Sequence, residues 1–203
     1  LGLTFIQGLF SAPNTTDSMV RRLPIVMYWV QDHTLYQNTI RNGHDFMGPF
    51  SEYIFLHLYL IFNGDRMLFF SQWVAFATTI ILSFIIAKKL SNSNIIALYV
   101  CLIVAVIPVA VLEASSVQMD MVVSLMVLFS VYFALILKEK PNLLNLSLLS
   151  FAIGLGILTK ATYLIYILIP IGILFLTMIK KWKSLFFSIM FSIMIIVIIQ
   201  VRF

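Results

Sequence analysis

The chain has 203 residues, of which 62% are hydrophobic and only 10% are charged, with 13 Lys and Arg against 8 Asp and Glu. A soluble domain has about 45–50% apolar and about 25% charged residues, so the composition excludes a water-soluble fold. One Cys, eight Gly and six Pro also exclude a disulfide scaffold and a collagen-like chain. The lipid bilayer remains as the solvent, and the composition predicts a polytopic membrane protein.

In chain order, the apolar segments predict the end of one helix, an external loop and six further spans. Residues 1–10 are apolar but too few to cross a bilayer, which takes about 20 residues, so we interpret them as the end of the first transmembrane helix. Residues 11–66 are predicted to be an extracytoplasmic loop with short helices, and residues 67–203 a six-helix bundle. Because the chain starts at Leu1 and stops directly after an apolar run, we expect it to be a piece of a longer protein.

The six predicted spans are continuously apolar rather than alternating, which indicates helices and therefore an all-α fold. They are residues 67–87, 95–112, 121–137, 143–159, 161–179 and 185–199. Residues 49–62 are apolar but short and contain Glu52 and His57. We interpret this segment as a juxtamembrane helix at the outer interface; the alternative is an additional span.

Charge distribution orients the predicted bundle. Seven of the eight lysines fall in short loops on one side, which the positive-inside rule assigns to the cytoplasm. Seven of the eight acidic residues fall on the opposite, extracytoplasmic side, and charged groups at a membrane boundary often mark function. The sequence therefore predicts a site on the extracytoplasmic face of the membrane. The Lys-, Asn- and Ile-rich composition suggests a bacterial inner or plasma membrane.

Two polar motifs of this face lie near the start of the chain. Asp17 follows the first helix closely and is suited to act as a general base on an acceptor hydroxyl; the alternative is a cap on a helix that begins at Ser18. Arg21 and Arg22 follow it, and arginine binds phosphate oxygens through two parallel hydrogen bonds. Ordinary snorkelling of the two arginines at the interface is the other interpretation.

Two further motifs lie between predicted spans. Residues 113–120 form a short polar loop that contains Gln118 and ends at Asp120, which either interacts with the helix dipole or forms a polar pocket facing Asp17. Lys160 is the one lysine outside the cytoplasmic loops, and a lone ammonium there requires an anion, either the Asp120 carboxylate or a phosphate. A simple turn lysine is the alternative. Gly154 and Gly156 beneath it would permit close helix packing.

Other ligand classes are not indicated. The chain has no phosphate-binding loop, no dinucleotide fingerprint and no zinc-ligand spacing, and its three histidines are widely scattered. We therefore predict no cofactor and no metal site, although a divalent metal is left open. The lysines follow the orientation rule rather than forming a basic patch, so no nucleic-acid partner is predicted.

Together, these motifs resemble the membrane half of a GT-C glycosyltransferase, specifically the bacterial family 39 group. That group is related to the dolichyl-phosphate-mannose-protein mannosyltransferases and to the transferase that adds aminoarabinose to lipid A. Asp17-Ser18-Met19 resembles the catalytic Asp of the first loop, and residues 48–53 resemble the start of the second juxtamembrane helix. Residues 65–66 and 114–120 are similar to the second-loop motif, and residues 154–160 resemble the Gly-Leu-x-x-x-Thr-Lys stretch.

The resemblance implies transfer of a sugar from a polyprenyl-phosphate donor to a lipid, glycan or protein acceptor among membrane lipids, with inversion. It implies Asp17 as the general base, with Lys160 and Arg21 or Arg22 at the donor phosphate. It also implies that Glu52, Asp120 and Gln118 shape the sugar or acceptor site. The alternative is a non-catalytic transporter or flippase subunit for lipid-linked sugars. A transporter would carry polar or broken helices at the bilayer midplane, whereas the polar groups here gather at one face.

Overall fold

The computed structural model describes residues 1–172 apart from residues 12, 14 and 36–49, together with residues 190 and 194. All regular structure in this part of the chain is helical, which confirms the predicted all-α fold. The α-helices are α1 (Gly2–Phe10), α2 (Leu23–Asp32), α3 (Phe50–Phe62), α4 (Phe70–Ser91), α5 (Asn94–Ala105), α6 (Pro108–Glu113), α7 (Asp120–Glu139), α8 (Leu143–Thr159) and α9 (Tyr163–Tyr166). The predicted span 185–199 lies outside the described residues, apart from residues 190 and 194.

Helices α4 and α7 are long and apolar enough to cross a membrane, with 22 and 20 residues. They pack side by side and are joined at both ends. The Gln72 side-chain oxygen accepts from the Val122 backbone N–H at 3.2 Å, and Lys89 bonds Glu139 at 2.5 Å at the other end. Lys88, Lys89 and Lys138 thus lie at one end of the bundle, and Asp120 begins α7 at the opposite end.

The predicted span 95–112 differs from the structure, which divides it into α5 and α6. Helix α5 ends at Ala105, and Ile107 is extended with ψ at 117° before Pro108 begins α6. A proline lacks the N–H that a continuous helix needs and pushes the preceding residue out of the helical region. Pro108 therefore ends α5 before the polar loop that leads to α7.

The loop helices α2 and α3 form part of the core. Val26 and Trp29 of α2 and Phe55 of α3 are buried, and the Trp29 ring stacks on Tyr53 at a centroid distance of 5.2 Å. Helix α3 has 13 residues, fewer than either candidate span. Burial of these apolar faces fixes the helices over the bundle, and with them the polar residues 17–22 and Glu52.

The turn between α8 and α9 depends on a close contact between Gly156 and Tyr163. The Tyr163 ring is fully buried, and its hydroxyl hydrogen-bonds the Ser130 hydroxyl at 2.6 Å. A Cβ added at Gly156 would overlap this ring. The Tyr163 N–H also donates to the Lys160 carbonyl at 3.0 Å, so the same contact fixes the backbone of Lys160.

We expect Gly156→Ala to destabilise the protein by about 1–3 kcal/mol, the usual cost of overpacking a filled core. The Tyr163 ring cannot move aside, because its hydroxyl is held by Ser130. The better helix propensity of Ala recovers only about 0.5–1 kcal/mol of this cost. Gly172→Ala is the matched control, since no described residue lies within 4 Å of a Cβ at that position. Thermal unfolding in one detergent compares the variants, and equal midpoints for Gly156→Ala and wild type would contradict the assigned contact.

Candidate active site

A π-helical turn, Ser18–Arg22, brings Asp17 and Arg22 together. The Leu23 N–H donates to the Ser18 carbonyl five residues earlier, and Arg22 Nε donates to Asp17 Oδ2 at 3.3 Å across the same interval. Pro24 lies two residues after Arg22, and in a regular α-helix its ring would clash with the carbonyl four residues earlier, which favours the wider turn. The Asp17 side chain makes no capping hydrogen bond to the helix that begins at Ser18, so the capping alternative is not observed.

The guanidinium of Arg22 also bonds Glu52. Arg22 Nη1 donates to Glu52 Oε1, which joins the π-helical turn to α3. The side chains of Arg22 and Glu52 are 1% and 3% exposed, whereas Asp17 is 37% exposed. Removing one partner of such a buried pair costs about 3–5 kcal/mol, because the other charge is left uncompensated. The arrangement leaves the Asp17 carboxylate as the part of this triad that faces solvent.

A hydrogen bond connects this triad to the polar loop before α7. Ser18 Oγ donates to the Val117 carbonyl at 2.8 Å, and both Ser18 and Val117 are buried. Gln118 is the next residue of the loop and is half-buried. The segment that carries Asp17 therefore lies at the same end of the bundle as the start of α7.

Lys160 pairs with Asp120 at this end. Lys160 Nζ donates to Asp120 Oδ1 at 2.6 Å, and the side chains are 25% and 41% exposed. Asp120 is the first residue of α7, where a carboxylate also interacts favourably with the helix dipole. The sequence left either the Asp120 carboxylate or a phosphate as the anion for Lys160, and the structure shows the bond to Asp120. Only one of the three ammonium protons is used in this bond.

The Lys160–Asp120 pair lines a cavity of about 590 Å³ whose other lining is largely apolar. Glu113 lines it as well. Burial raises the pKa of the Glu113 carboxyl, the Asp120 charge raises it further, and Lys160 opposes the increase. The cavity therefore has one end with a cation and two carboxylates, and walls formed by α5, α6, α7 and the turn into α9.

The charged site residues fall into two groups in the described part of the chain. The first, the Asp17 triad, is Asp17, Arg22 and Glu52, all three predicted. The second, the Lys160 cluster, is the predicted pair Lys160 and Asp120 together with Glu113, which the sequence placed only in the polar loop. Asp120 lines the cavity at Lys160, and Asp17 is not among the described residues that line this cavity. The side chain of Arg21 lies outside the described residues.

Three polar residues with structural importance were not singled out by the sequence. Gln72 is buried within α4, and Ser130 and Tyr163 hold the turn beneath Lys160. A glutamine in an apolar span is a visible signal, because a buried amide requires partners. Ser130 and Tyr163 are ordinary in membrane helices, so their pairing could not be predicted. Within the residues that the structure describes, no group of three His, Cys, Asp or Glu is placed to hold a metal ion.

Comparison with known proteins supplies the family. A family model described as dolichyl-phosphate-mannose-protein mannosyltransferase matches residues 47–202, more than half of the chain. The match contains the Lys160 cluster and Glu52, and it begins after Asp17 and Arg22. No curated protein and no solved structure gives a match. The chain belongs to the dolichyl-phosphate-mannose-protein mannosyltransferase family, membrane glycosyltransferases of the GT-C kind that use a lipid-linked sugar donor and an acceptor in a membrane.

Proposed function

We propose that the protein transfers a sugar from a polyprenyl-phosphate donor to an acceptor hydroxyl at the extracytoplasmic face, with inversion at the anomeric carbon. The observation that carries this proposal is the Lys160 cluster at one end of a cavity whose other lining is largely apolar. Such a cavity suits a ligand with an anionic phosphate and an apolar tail. The orientation from the lysine-rich loops supports the extracytoplasmic face.

The reaction requires one base and one group that stabilises a leaving phosphate. The acceptor oxygen forms a bond to the anomeric carbon, and its proton passes to the Asp17 carboxylate. The bond from the anomeric carbon to the phosphate oxygen breaks, and its electron pair leaves with the polyprenyl phosphate. Lys160 offsets the negative charge that develops on that oxygen. Asp17 suits its role because its carboxylate is oriented by Arg22 and remains partly exposed.

The remaining predicted residues have supporting roles in this proposal. Glu52 remains a predicted residue of the sugar or acceptor site; its Oε2 is buried and has no hydrogen-bond partner among the described residues. Asp120 orients Lys160, and Gln118 lies beside the segment that carries Asp17. Arg21 remains a predicted phosphate ligand, whereas Arg22 is buried and already bonds two carboxylates.

Transfer can be tested with the protein in its native membranes and polyprenyl-phosphate donors labelled in the sugar. We expect the label to move to a hydroxyl acceptor with inverted anomeric configuration, and polyprenyl phosphate to form in equal amount. Membranes without the protein are the control. If the intact donor crosses the membrane while its sugar–phosphate bond persists, the protein is a transporter of lipid-linked sugars and the proposal is wrong.

A further inference from the structure

Arg22 is enclosed by protein more completely than a ligand-binding arginine needs to be. It is fully buried, and two different nitrogens of its guanidinium bond two carboxylates that lie 35 positions apart in the chain. Asp17 precedes the π-helical turn and Glu52 lies on α3. The guanidinium therefore connects the segment that carries the proposed base to a helix packed in the core.

The surrounding charge does not favour a phosphate at Arg22. Two carboxylates already face one guanidinium, so the triad carries a net negative charge before any donor arrives. Nη2 of Arg22 has no hydrogen-bond partner among the described residues, but it is buried, so a phosphate could reach it only by entering the packed interior. Displacing Glu52 instead would leave a buried carboxylate uncompensated. Lys160, by contrast, faces a cavity large enough for a ligand and has ammonium protons left to donate.

We infer that Arg22 is a positioning residue, which orients the Asp17 carboxylate by holding it and Glu52 on one buried guanidinium, and that it does not bind the donor phosphate. The inference rests on the proposed role of Asp17 as the base. A guanidinium presents its donors in a rigid planar fork, so fixing Glu52 at Nη1 fixes the direction in which Nε reaches Asp17. A lysine has the same charge but only a single nitrogen, and it cannot reproduce this geometry.

Arg22→Lys distinguishes a role in positioning Asp17 from a role in binding the donor phosphate. If Arg22 bound the phosphate, lysine would keep the charge but lose the paired hydrogen bonds, so phosphate binding would weaken and kcat would change little. If Arg22 bridges the two carboxylates, lysine cannot replace it and kcat falls. We expect kcat for sugar transfer to fall by about 100-fold, the effect of a small misplacement of a catalytic group, with binding of sugar-free polyprenyl phosphate unchanged. Lys138→Arg, the reverse exchange at the opposite end of α7, is the control and should leave both quantities unchanged. Weakened binding of polyprenyl phosphate with unchanged kcat would overturn the inference.

A double-variant comparison guards against a purely structural effect of Arg22. Glu52→Gln removes the buried negative charge, so replacing Arg22 in that background no longer leaves a buried carboxylate uncompensated. If Arg22 positions Asp17, Arg22→Gln still lowers kcat by at least 10-fold in the Glu52→Gln protein. If it only neutralises Glu52, the second substitution has no effect and the inference is wrong.

The Asp17→Asn background supplies the complementary result. We expect Arg22→Gln to cause no further loss there, because residues that act as a unit are not additive. A further loss would show that Arg22 acts independently of Asp17 and would overturn the inference. Absence of transfer by the wild type would overturn the proposed function together with the inference, whereas transfer by wild type with unchanged kcat in Arg22→Lys would overturn the inference alone.

Discussion

Asp17→Asn should lower sugar transfer by a factor of about 10²–10⁴, the usual contribution of a positioned general base. Asparagine keeps the size of the side chain and can still accept from Arg22 Nε, but it cannot take a proton from the acceptor hydroxyl. The donor phosphate is proposed to bind at Lys160, so binding of polyprenyl phosphate should be unchanged. Transfer of labelled sugar and binding of the lipid phosphate, measured on the same preparations, test both expectations.

Asp32→Asn is the matched control for this substitution. Asp32 ends α2, is exposed, and has no role in the proposed reaction, so its replacement should leave transfer unchanged. Because the Asp17 side chain is partly exposed, losing its charge should affect stability little, and both variants should unfold at the wild-type temperature. Equal turnover by Asp17→Asn and wild type would remove Asp17 as the base.

The long helices and the partner of Lys160 could be predicted because each depends on local chemistry. Apolar runs flanked by polar residues indicate α4, α7 and α8, and the predicted helix 143–159 coincides with α8. A lone ammonium at a membrane boundary requires an anion, and Asp120 is the carboxylate that begins the neighbouring helix. Both inferences follow from the lipid environment and from the spacing of the residues along the chain.

The Asp17 triad could not be predicted, because it depends on tertiary packing. In a regular α-helix, the residue above Asp17 would be Arg21 rather than Arg22. The π-helical turn shifts this alignment by one residue, and only its geometry shows that Arg22 is a partner of Asp17. Glu52 lies on a separate helix, and the contact depends on how α2 and α3 pack. From charge alone, both arginines are predicted to bind a phosphate. The burial of Arg22 in the structure argues against that role for Arg22.

Lys160→Met should reduce transfer by about 10²–10³, the loss expected when a group that stabilises a developing negative charge is removed. Methionine keeps much of the length of the side chain, so the turn held by Tyr163 and Gly156 should stay intact. Lys160 is the one cation that lines the cavity in the described part of the chain, and its loss leaves two carboxylates there. Binding of polyprenyl phosphate should therefore weaken along with turnover.

Two further variants decide whether Lys160 serves the phosphate or only Asp120. Lys138→Met lies at the opposite end of α7 and should leave transfer and lipid-phosphate binding unchanged. In the Lys160→Met/Asp120→Asn double variant, both charges of the ion pair are removed, so no carboxylate at position 120 is left without its cation. If Lys160 only neutralised Asp120, binding of polyprenyl phosphate would recover in the double variant, and the phosphate assignment would be wrong. If Lys160 holds the phosphate, binding stays weak, because removing a repulsive carboxylate does not restore the missing donor.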